Sequence, residues 1–396
     1  MSMPATGPEP VYLDHAATAP VREEVLEEML PFFGPRFGNP SSTHRWGREA
    51  RVALDEARER VAGALGARVD EVCFTSCGTE GDNMAVLGAW HARRLSGRTA
   101  VVASAIEHKA VLGAIHCAAR EGAIERLVPV TPDGVVDLAA AAESIGDDVA
   151  VCSVIWVNNE TGVVQPMQSI ADLAKSAGVV FHTDAVQAFG KVDVNASRQP
   201  YDLLWVSGHK IGAPKGIGAL FIRRGTKLEP MMHGGTQDRG RRPGTENVAF
   251  AVGLARAMEL ASSERERECA RLRSLRDALE GAILARIPDA VFHGRAVERA
   301  AHVSNVSVPG AESEALLMGL DLHGIAASGG SACQSGSIEA SHVLAAMGVA
   351  PEVARCAVRF SLGPLSMPDL VQRTATALAS VAARARVALT SDIAAV

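Results

Sequence analysis

Strand-like and helical patterns alternate from about residue 48 to residue 265, and this alternation limits the possible folds more than any other feature. Residues 50–65 carry apolar side chains at helical spacing, and Gly66 ends that pattern. Strands that alternate with helices build βαβ units, so we predict an α/β fold with a mainly parallel sheet. The short apolar runs that we interpret as strands of this sheet are 71–75, 99–104, 149–157, 178–183, 202–207 and 218–223.

The last hundred residues have a different pattern. Two short apolar strands, at 303–308 and 357–361, lie on either side of a helical pattern at 312–323. A final helix is predicted to begin at Ser366, with a proline and an aspartate in its first turn. We therefore predict two domains: a large α/β domain of residues 18–262, and a smaller α+β domain of residues 1–17 plus 263–396.

Composition and charge exclude several classes of protein. The formal net charge of −6 argues against direct nucleic-acid binding. The first ten residues lack the basic start and apolar stretch of a signal peptide, and no apolar run reaches the roughly 18 residues that cross a bilayer. The seven cysteines form no C-x-x-C pair, which indicates neither a disulfide framework nor a zinc site. We therefore expect a cytoplasmic protein with no membrane partner and no bound metal.

Two strand ends carry residues suited to cofactor chemistry. The chain has only six lysines, and Lys210 closely follows the apolar run 203–206. A neutral amine held there can form a Schiff base with an aldehyde cofactor. Asp184 ends another apolar strand, where it could pair with a pyridinium nitrogen, and Gln187 could reach the same ligand. A surface lysine and a helix cap are the plainer interpretations of Lys210 and Asp184.

Other predicted strands also end in polar residues. Gly78 and Thr79 lie between a strand and a helix, where backbone amides and a hydroxyl can bind a phosphate. His108 is of a type that stacks on a planar ring and exchanges protons near neutral pH. Asn159 could bind a substrate carboxylate or a ring oxygen, although an asparagine pair is also typical of a simple turn.

A thiol and a guanidinium complete the set of candidates. Cys333 lies in a run of small residues, 328–337, that cannot pack densely. We therefore expect a mobile loop, about residues 326–340 of the small domain, that carries its thiol between two places; a linker with an incidental cysteine is the alternative. Arg359 is a charge inside a predicted strand, which indicates either a paired structural arginine or a clamp for a carboxylate.

Together these motifs resemble the cysteine desulfurases, the pyridoxal-phosphate enzymes of iron–sulfur cluster and thio-cofactor assembly. The resemblance extends from residues 12–18 to residues 359–363, which is nearly the whole chain. The long loop around Cys333 is similar to that of the group that supplies scaffold-based cluster assembly. The further blocks that carry the resemblance are 38–42, 107–109, 157–162, Asp184, Gln187, 207–210 and 239–247.

The resemblance implies a PLP-dependent transferase of fold type I that binds pyridoxal 5'-phosphate and works as a homodimer. Lys210 would form the Schiff base and shuttle a proton, while His108 would stack on the ring and act as the candidate base. Cys333 would attack the sulfur of L-cysteine, so that the enzyme carries a persulfide and releases L-alanine. The other implied cofactor-binding residues are Gly78, Thr79, Asn159, Asp184, Gln187, Ser207, His209 and, toward the neighbouring subunit, Thr245. The implied substrate-binding residues are Asn39, Asn159 and Arg359.

Some positions depart from the pattern of this family, and other functions stay open. Cys77 stands in the phosphate turn where glycine is usual, and Gly329 stands in the loop where serine is common. Another PLP enzyme of the same fold, such as a selenocysteine or cystine lyase or an aminotransferase, is the first alternative. A silent docking partner is the second. The sulfur acceptor is equally open among an iron–sulfur scaffold, tRNA-modifying enzymes and thiamine-type pathways.

Overall fold

The computed structural model describes residues 9–329 and 341–394, with side chains described no further than residue 387. Cys333, and most of the loop predicted at 326–340, lie outside the described residues. The strands are β1 Val11–Tyr12, β2 Val72–Thr75, β3 Ala100–Ser104, β4 Ile124–Val128, β5 Val149–Ser153, β6 Val180–Asp184, β7 Leu203–Ser207, β8 Gly218–Ile222, β9 Val291–Phe292, β10 Val303–Ser307, β11 Ile325–Ala326 and β12 Ala357–Ser361. The α-helices are α1 Glu23–Met29, α2 Arg45–Leu65, α3 Gly78–Arg93, α4 Lys109–Arg120, α5 Leu138–Ser144, α6 Met167–Ser176, α7 Val248–Arg286, α8 Ser313–Leu322, α9 His342–Ala346, α10 Pro351–Ala354 and α11 Leu370–Ala394.

A seven-stranded sheet forms the centre of the fold, in the order β2-β8-β7-β6-β5-β3-β4. Neighbouring strands from β7 to β4 run parallel, whereas β8 runs antiparallel to both β7 and β2. Six of these strands are buried along their whole length, as a sheet covered by helices on both faces requires: β2, β3, β5, β6, β7 and β8. The prediction of an α/β fold with a mainly parallel sheet is confirmed.

Helix α3 packs very closely on β7, and this contact positions the start of the helix. Trp205 of β7 is fully buried, and its indole Nε1 donates a hydrogen bond of 2.8 Å to Thr75 Oγ1. Gly81 lies directly over this indole, so a Cβ at that position would collide with the ring. The first turn of α3 is therefore held against the same edge of the sheet at which β7 ends.

The C-terminal part of the chain has its own sheet and its own apolar core. Strands β12, β10 and β9 form an antiparallel sheet, and β1 pairs in parallel with β11. Leu13, just after β1, is buried in the same core as Phe360 of β12. The N-terminal segment thus packs on C-terminal elements, although the exact division at residues 17 and 262 stays a prediction.

Helix α7 is continuous across the predicted boundary at residue 262. Leu254 and Met258, in its first half, are buried in a core on one face of the large sheet. Leu272 and Leu279, in its second half, belong to the C-terminal core. This helix therefore connects the two cores.

The final helix begins later than the sequence predicted. We expected it to start at Ser366, whereas α11 begins at Leu370. The Ser366 hydroxyl accepts a hydrogen bond of 3.0 Å from Gly363 N and lies four residues before the helix, so it stabilises the preceding turn. Within the described residues, no helix is both long enough and apolar enough to cross a bilayer.

Candidate active site

A cavity of about 430 Å³ lies at the carboxyl ends of the parallel strands. Ligands of open α/β sheets bind at this edge, because the strand ends and the following helix N-termini converge there. The cavity brings together ten of the residues that we predicted from separate segments: Gly78, Thr79, His108, Asn159, Asp184, Gln187, Ser207, His209, Lys210 and Arg359.

Lys210 lies in a 3₁₀ turn that follows β7. Its Nζ donates hydrogen bonds of 2.7 Å to Ala16 O and 2.6 Å to Ala17 O. The amide of Gln187 donates to the same Ala16 carbonyl at 2.9 Å. The segment after β1 is therefore a backbone wall of the cavity, and it holds the lysine amine at a defined place.

Asp184 is the last residue of β6 and is buried at the cavity wall. One of its oxygens accepts a hydrogen bond of 2.8 Å from Val186 N. Burial raises the pKa of this carboxyl, while the nearby His108 and Lys210 act in the opposite direction. A cationic group bound in the cavity would favour the ionised form, which suits a carboxylate that pairs with a protonated ring nitrogen.

His108 caps helix α4, which follows β3. Its Nδ1 accepts a hydrogen bond of 3.2 Å from Ala110 N, which fixes the orientation of the ring. Glu107, directly before it, is fully buried; it accepts a hydrogen bond of 2.6 Å from Ile155 N and another from the Ser104 hydroxyl. The loop that presents the imidazole to the cavity is therefore rigidly supported.

Arg359 enters the cavity from β12, on the C-terminal sheet. Its side chain donates 2.9 Å hydrogen bonds to Asp14 Oδ1 and to Asn159 O. Within the described part of the chain, its buried Nε has no acceptor. The guanidinium is therefore paired, as the first interpretation from the sequence requires, while its role as a clamp for a carboxylate stays a prediction.

A phosphate site was predicted at the start of α3, and the geometry there suits an anion. Gly78 is the first residue of this 16-residue helix, whose N-terminal amides point to the cavity edge. His209 also lines the cavity, and its Nδ1 lies 3.2 Å from the Thr18 hydroxyl. Burial, together with the charges of Lys210 and Lys215, lowers the pKa of His209 to about 4, so this imidazole is neutral and can donate only one of its ring N–H groups.

Two predicted residues do not line the cavity of a single chain. Asn39 is exposed, and its side-chain oxygen accepts a hydrogen bond of 2.9 Å from Ser41 N. Thr245 is exposed beside a separate, smaller cavity of about 200 Å³. A single chain therefore does not bring Asn39 or Thr245 to the cavity, and the roles predicted for them stay predictions.

The cavity also contains residues that sequence reasoning missed. Asp82 lies one helical turn after Gly78, and that i, i+4 spacing could have placed it on the same face of the helix. His342 reaches the cavity with its Nε2 2.9 Å from Glu107 O, and no sequence signal indicates that contact. Asp14, which orients Arg359, was part of a recognised block but had no assigned role.

Comparison with known proteins gives a consistent picture. The family model for class-V aminotransferases matches residues 11–373. The cysteine desulfurase NifS of Azotobacter vinelandii is 45% identical over 95% of this chain and 93% of its own length. The cysteine desulfurase IscS of Dictyoglomus turgidum is 44% identical over 89% of each chain. A solved structure titled NifS-like protein is 33% identical and superposes with a TM-score of 0.88 over 94% of this chain and 99% of its own.

Proposed function

We infer the reaction from one premise: the chain belongs to the class-V aminotransferase family and, within it, to the cysteine desulfurases. A cysteine desulfurase converts L-cysteine to L-alanine and passes the sulfur to an acceptor. We propose Cys333 as the residue that carries this sulfur as a persulfide. The curated relatives are named for desulfuration of cysteine, so the lyase and aminotransferase alternatives are not favoured.

The residues present fit pyridoxal 5'-phosphate, the cofactor on which this family depends. The observation that carries the proposal is that the Lys210 amine and the buried Asp184 carboxyl line one cavity. The amine suits the aldehyde carbon, and the carboxyl suits the ring nitrogen. When bound, the cofactor accepts the electron density that develops on the substrate carbon.

We assign the remaining contacts by their geometry. The Gln187 amide donates to Ala16 O while its oxygen lies 3.0 Å from the His302 Nε2, which leaves one amide hydrogen for the phenolic oxygen of the cofactor. His108 would stack on the ring, and Asn159 would contact the substrate side. The phosphate would be held by Gly78, Thr79, Ser207 and His209, and by Thr245 of a second copy.

The protein's own groups would perform three tasks. Lys210, once its amine is free, takes the proton from the α-carbon of the substrate and returns a proton later. Cys333, as a thiolate, attacks the substrate sulfur; the carbon–sulfur bond breaks, a sulfur–sulfur bond forms, and the electron pair stays on carbon until protonation gives alanine. His108 exchanges protons with the thiol groups.

The proposed assembly is a homodimer. Asn39 and Thr245 are exposed and away from the cavity of their own chain, as residues that complete a neighbour's site would be. Large exposed apolar side chains also precede and begin helix α2, among them Phe33, Phe37 and Trp46. We further propose an acceptor protein such as an iron–sulfur scaffold, and a cytoplasmic setting that keeps Cys333 reduced.

Product analysis tests this function directly. Purified protein reconstituted with pyridoxal 5'-phosphate, and given L-cysteine and a thiol reductant, is expected to release alanine and sulfide in equal amounts. Pyruvate and ammonia in place of alanine would show a lyase and would contradict the proposal. If the protein could not bind the cofactor at all, the result would favour the alternative of a catalytically silent docking partner.

Replacing Arg359 with lysine is expected to weaken substrate binding without removing the cofactor. Two of the five N–H donors of the guanidinium are bonded to Asn159 and Asp14, so another can donate to a carboxylate while that pairing stays, and an ammonium cannot reproduce the geometry. Loss of a charge-assisted hydrogen bond of about 1.5–3 kcal/mol predicts a KM for cysteine raised by about 10- to 100-fold. Steady-state kinetics measure this change.

The matched control is Arg355→Lys, four residues earlier, where the side chain is exposed. Its KM should stay near that of the unmodified enzyme. An unchanged KM in Arg359→Lys would assign Arg359 to structural pairing alone.

A further inference from the structure

A second buried carboxyl lies behind Asp184. Asp82 of helix α3 is 1% exposed, and neither of its oxygens accepts or donates a hydrogen bond within the described residues. A carboxyl oxygen of Asp82, one of Asp184 and a ring nitrogen of His108 all lie within 4.8 Å of one another. An acid in such a position needs either a cation or its own proton, because a buried unpaired carboxylate is strongly unfavourable.

His182 faces this carboxyl from β6. It lies two residues before Asp184, on the same side of the strand, and is fully buried. Its Nδ1 is 2.8 Å from the Ser153 hydroxyl. Its Nε2 has no hydrogen-bond partner among the described residues, and it lies 3.7 Å from Asp82 Oδ1. Two polar groups that lack partners thus face each other across a short gap.

The surrounding charges decide which of the two groups holds a proton. The groups whose charge disfavours an ionised Asp82 are Asp184 on β6, Glu107 after β3 and the Cys77 thiol beside α3. The imidazole of His108, which caps α4, also lies within 4.8 Å of the Asp82 carboxyl. No arginine or lysine in the described part of the chain forms an ion pair with Asp82. Ionising both Asp82 and Asp184 would place two like charges in one buried site, where a single bound ring cation could balance only one of them.

We propose that Asp82 is a positioning residue that stays protonated and that, by a small rotation of its carboxyl that closes the 3.7 Å gap, donates its hydroxyl to His182 Nε2, so that Asp184 alone presents a negative charge to the cofactor ring nitrogen. The consequence for the cofactor rests on the proposed function. The protonation of Asp82 itself rests on the geometry and burial of the protein without the cofactor.

The directions in which the pKa values of Asp82 and His182 are shifted agree with this arrangement. Burial, followed by the charges of Asp184 and Glu107, raises the pKa of Asp82 well above its usual range. Burial lowers the pKa of His182 to about 3, so the imidazole is neutral and can accept at Nε2. Its proton then lies on Nδ1 and points to the Ser153 oxygen.

Infrared and NMR spectroscopy of the cofactor-free protein test the proposal without turnover. At neutral pH, the infrared spectrum should contain a protonated-carboxyl band that disappears in Asp82→Asn. Burial raises the pKa of Glu107 to about 8, so Glu107→Gln should remove a different band and serves as the internal control. Loss of carboxylate absorption in Asp82→Asn, with no loss of a protonated band, would show an ionised Asp82 and overturn the proposal.

The second measurement needs no substitution at Asp82 and therefore does not depend on folding of a variant. In ¹⁵N-histidine-labelled protein, the His182 resonances, assigned by their absence in His182→Gln, should show a proton on Nδ1 and a bare Nε2. A proton on Nε2 would overturn the proposal. Asp82→Leu, which has no donor, should change this pattern, and Asp82→Asn, whose amide can donate, should restore it.

The affinity of the protein for the cofactor tests whether the proposed hydrogen bond from Asp82 to His182 matters for the cofactor site. Titration of the cofactor-free protein with pyridoxal 5'-phosphate should show about tenfold weaker binding in Asp82→Leu, and most of the loss should be recovered in Asp82→Asn. Equal losses in both variants would show that an ionised Asp82 is required. Failure of the proposed function would appear separately, as the wrong products from cysteine with the unmodified protein.

Discussion

Replacing Lys210 with alanine is expected to abolish the visible absorbance of the lysine-linked cofactor and nearly all desulfurase activity. The Lys210 amine is the one that the structure holds over the cavity, on the carbonyls of Ala16 and Ala17. Without it, the protein has no group in that place to bind the aldehyde or to move the α-proton. Loss of a positioned proton-transfer group alone lowers rates by about 10²- to 10⁴-fold, so kcat should fall at least that far.

Two other lysines provide the comparison for this experiment. Lys215→Ala, at an exposed position in the same connection, should keep both colour and activity. Lys109 is the other lysine that lines the cavity. If Lys109→Ala lost the absorbance and Lys210→Ala kept it, the assignment of the Schiff base would be wrong.

Replacing Cys333 with serine is expected to leave the cofactor spectrum unchanged and to reduce sulfide production from cysteine by about 10³-fold or more. A hydroxyl is far less nucleophilic than a thiolate toward sulfur, and loss of the attacking group removes the step itself. Sulfide release under single-turnover conditions, together with mass spectrometry of the protein for an added sulfur atom, measures the effect.

Cys77→Ser is the matched control for this prediction. Cys77 is exposed, and it lines the cavity at the start of α3, so it is the described thiol best placed to compete for the role. Its replacement should keep sulfide production within a few-fold of the unmodified enzyme. Normal sulfide release by Cys333→Ser, together with its loss in Cys77→Ser, would contradict the prediction and would show that Cys77 carries the persulfide.

The elements that the sequence predicted well have local causes. Runs such as Leu203–Ser207 are apolar because both faces of a parallel strand are buried, and that composition is visible without any partner. The start of α11 was predicted four residues early because Ser366 bonds to Gly363, a turn contact that resembles a cap in sequence alone. The antiparallel direction of β8 was not specified by its composition either, since a buried strand looks the same in both directions.

For the candidate site, residue types and their spacing were enough to predict the chemical groups: an amine, a carboxyl, an imidazole and a thiol, each at or near the end of a recognisable segment. The neighbours of these groups became visible only in the folded chain, such as Asp14 beside Arg359, 345 residues away, and Asp82 facing His182. The physical reason is that residue type and periodicity are properties of short segments, whereas pairing, burial and protonation depend on groups that meet only when distant segments pack together.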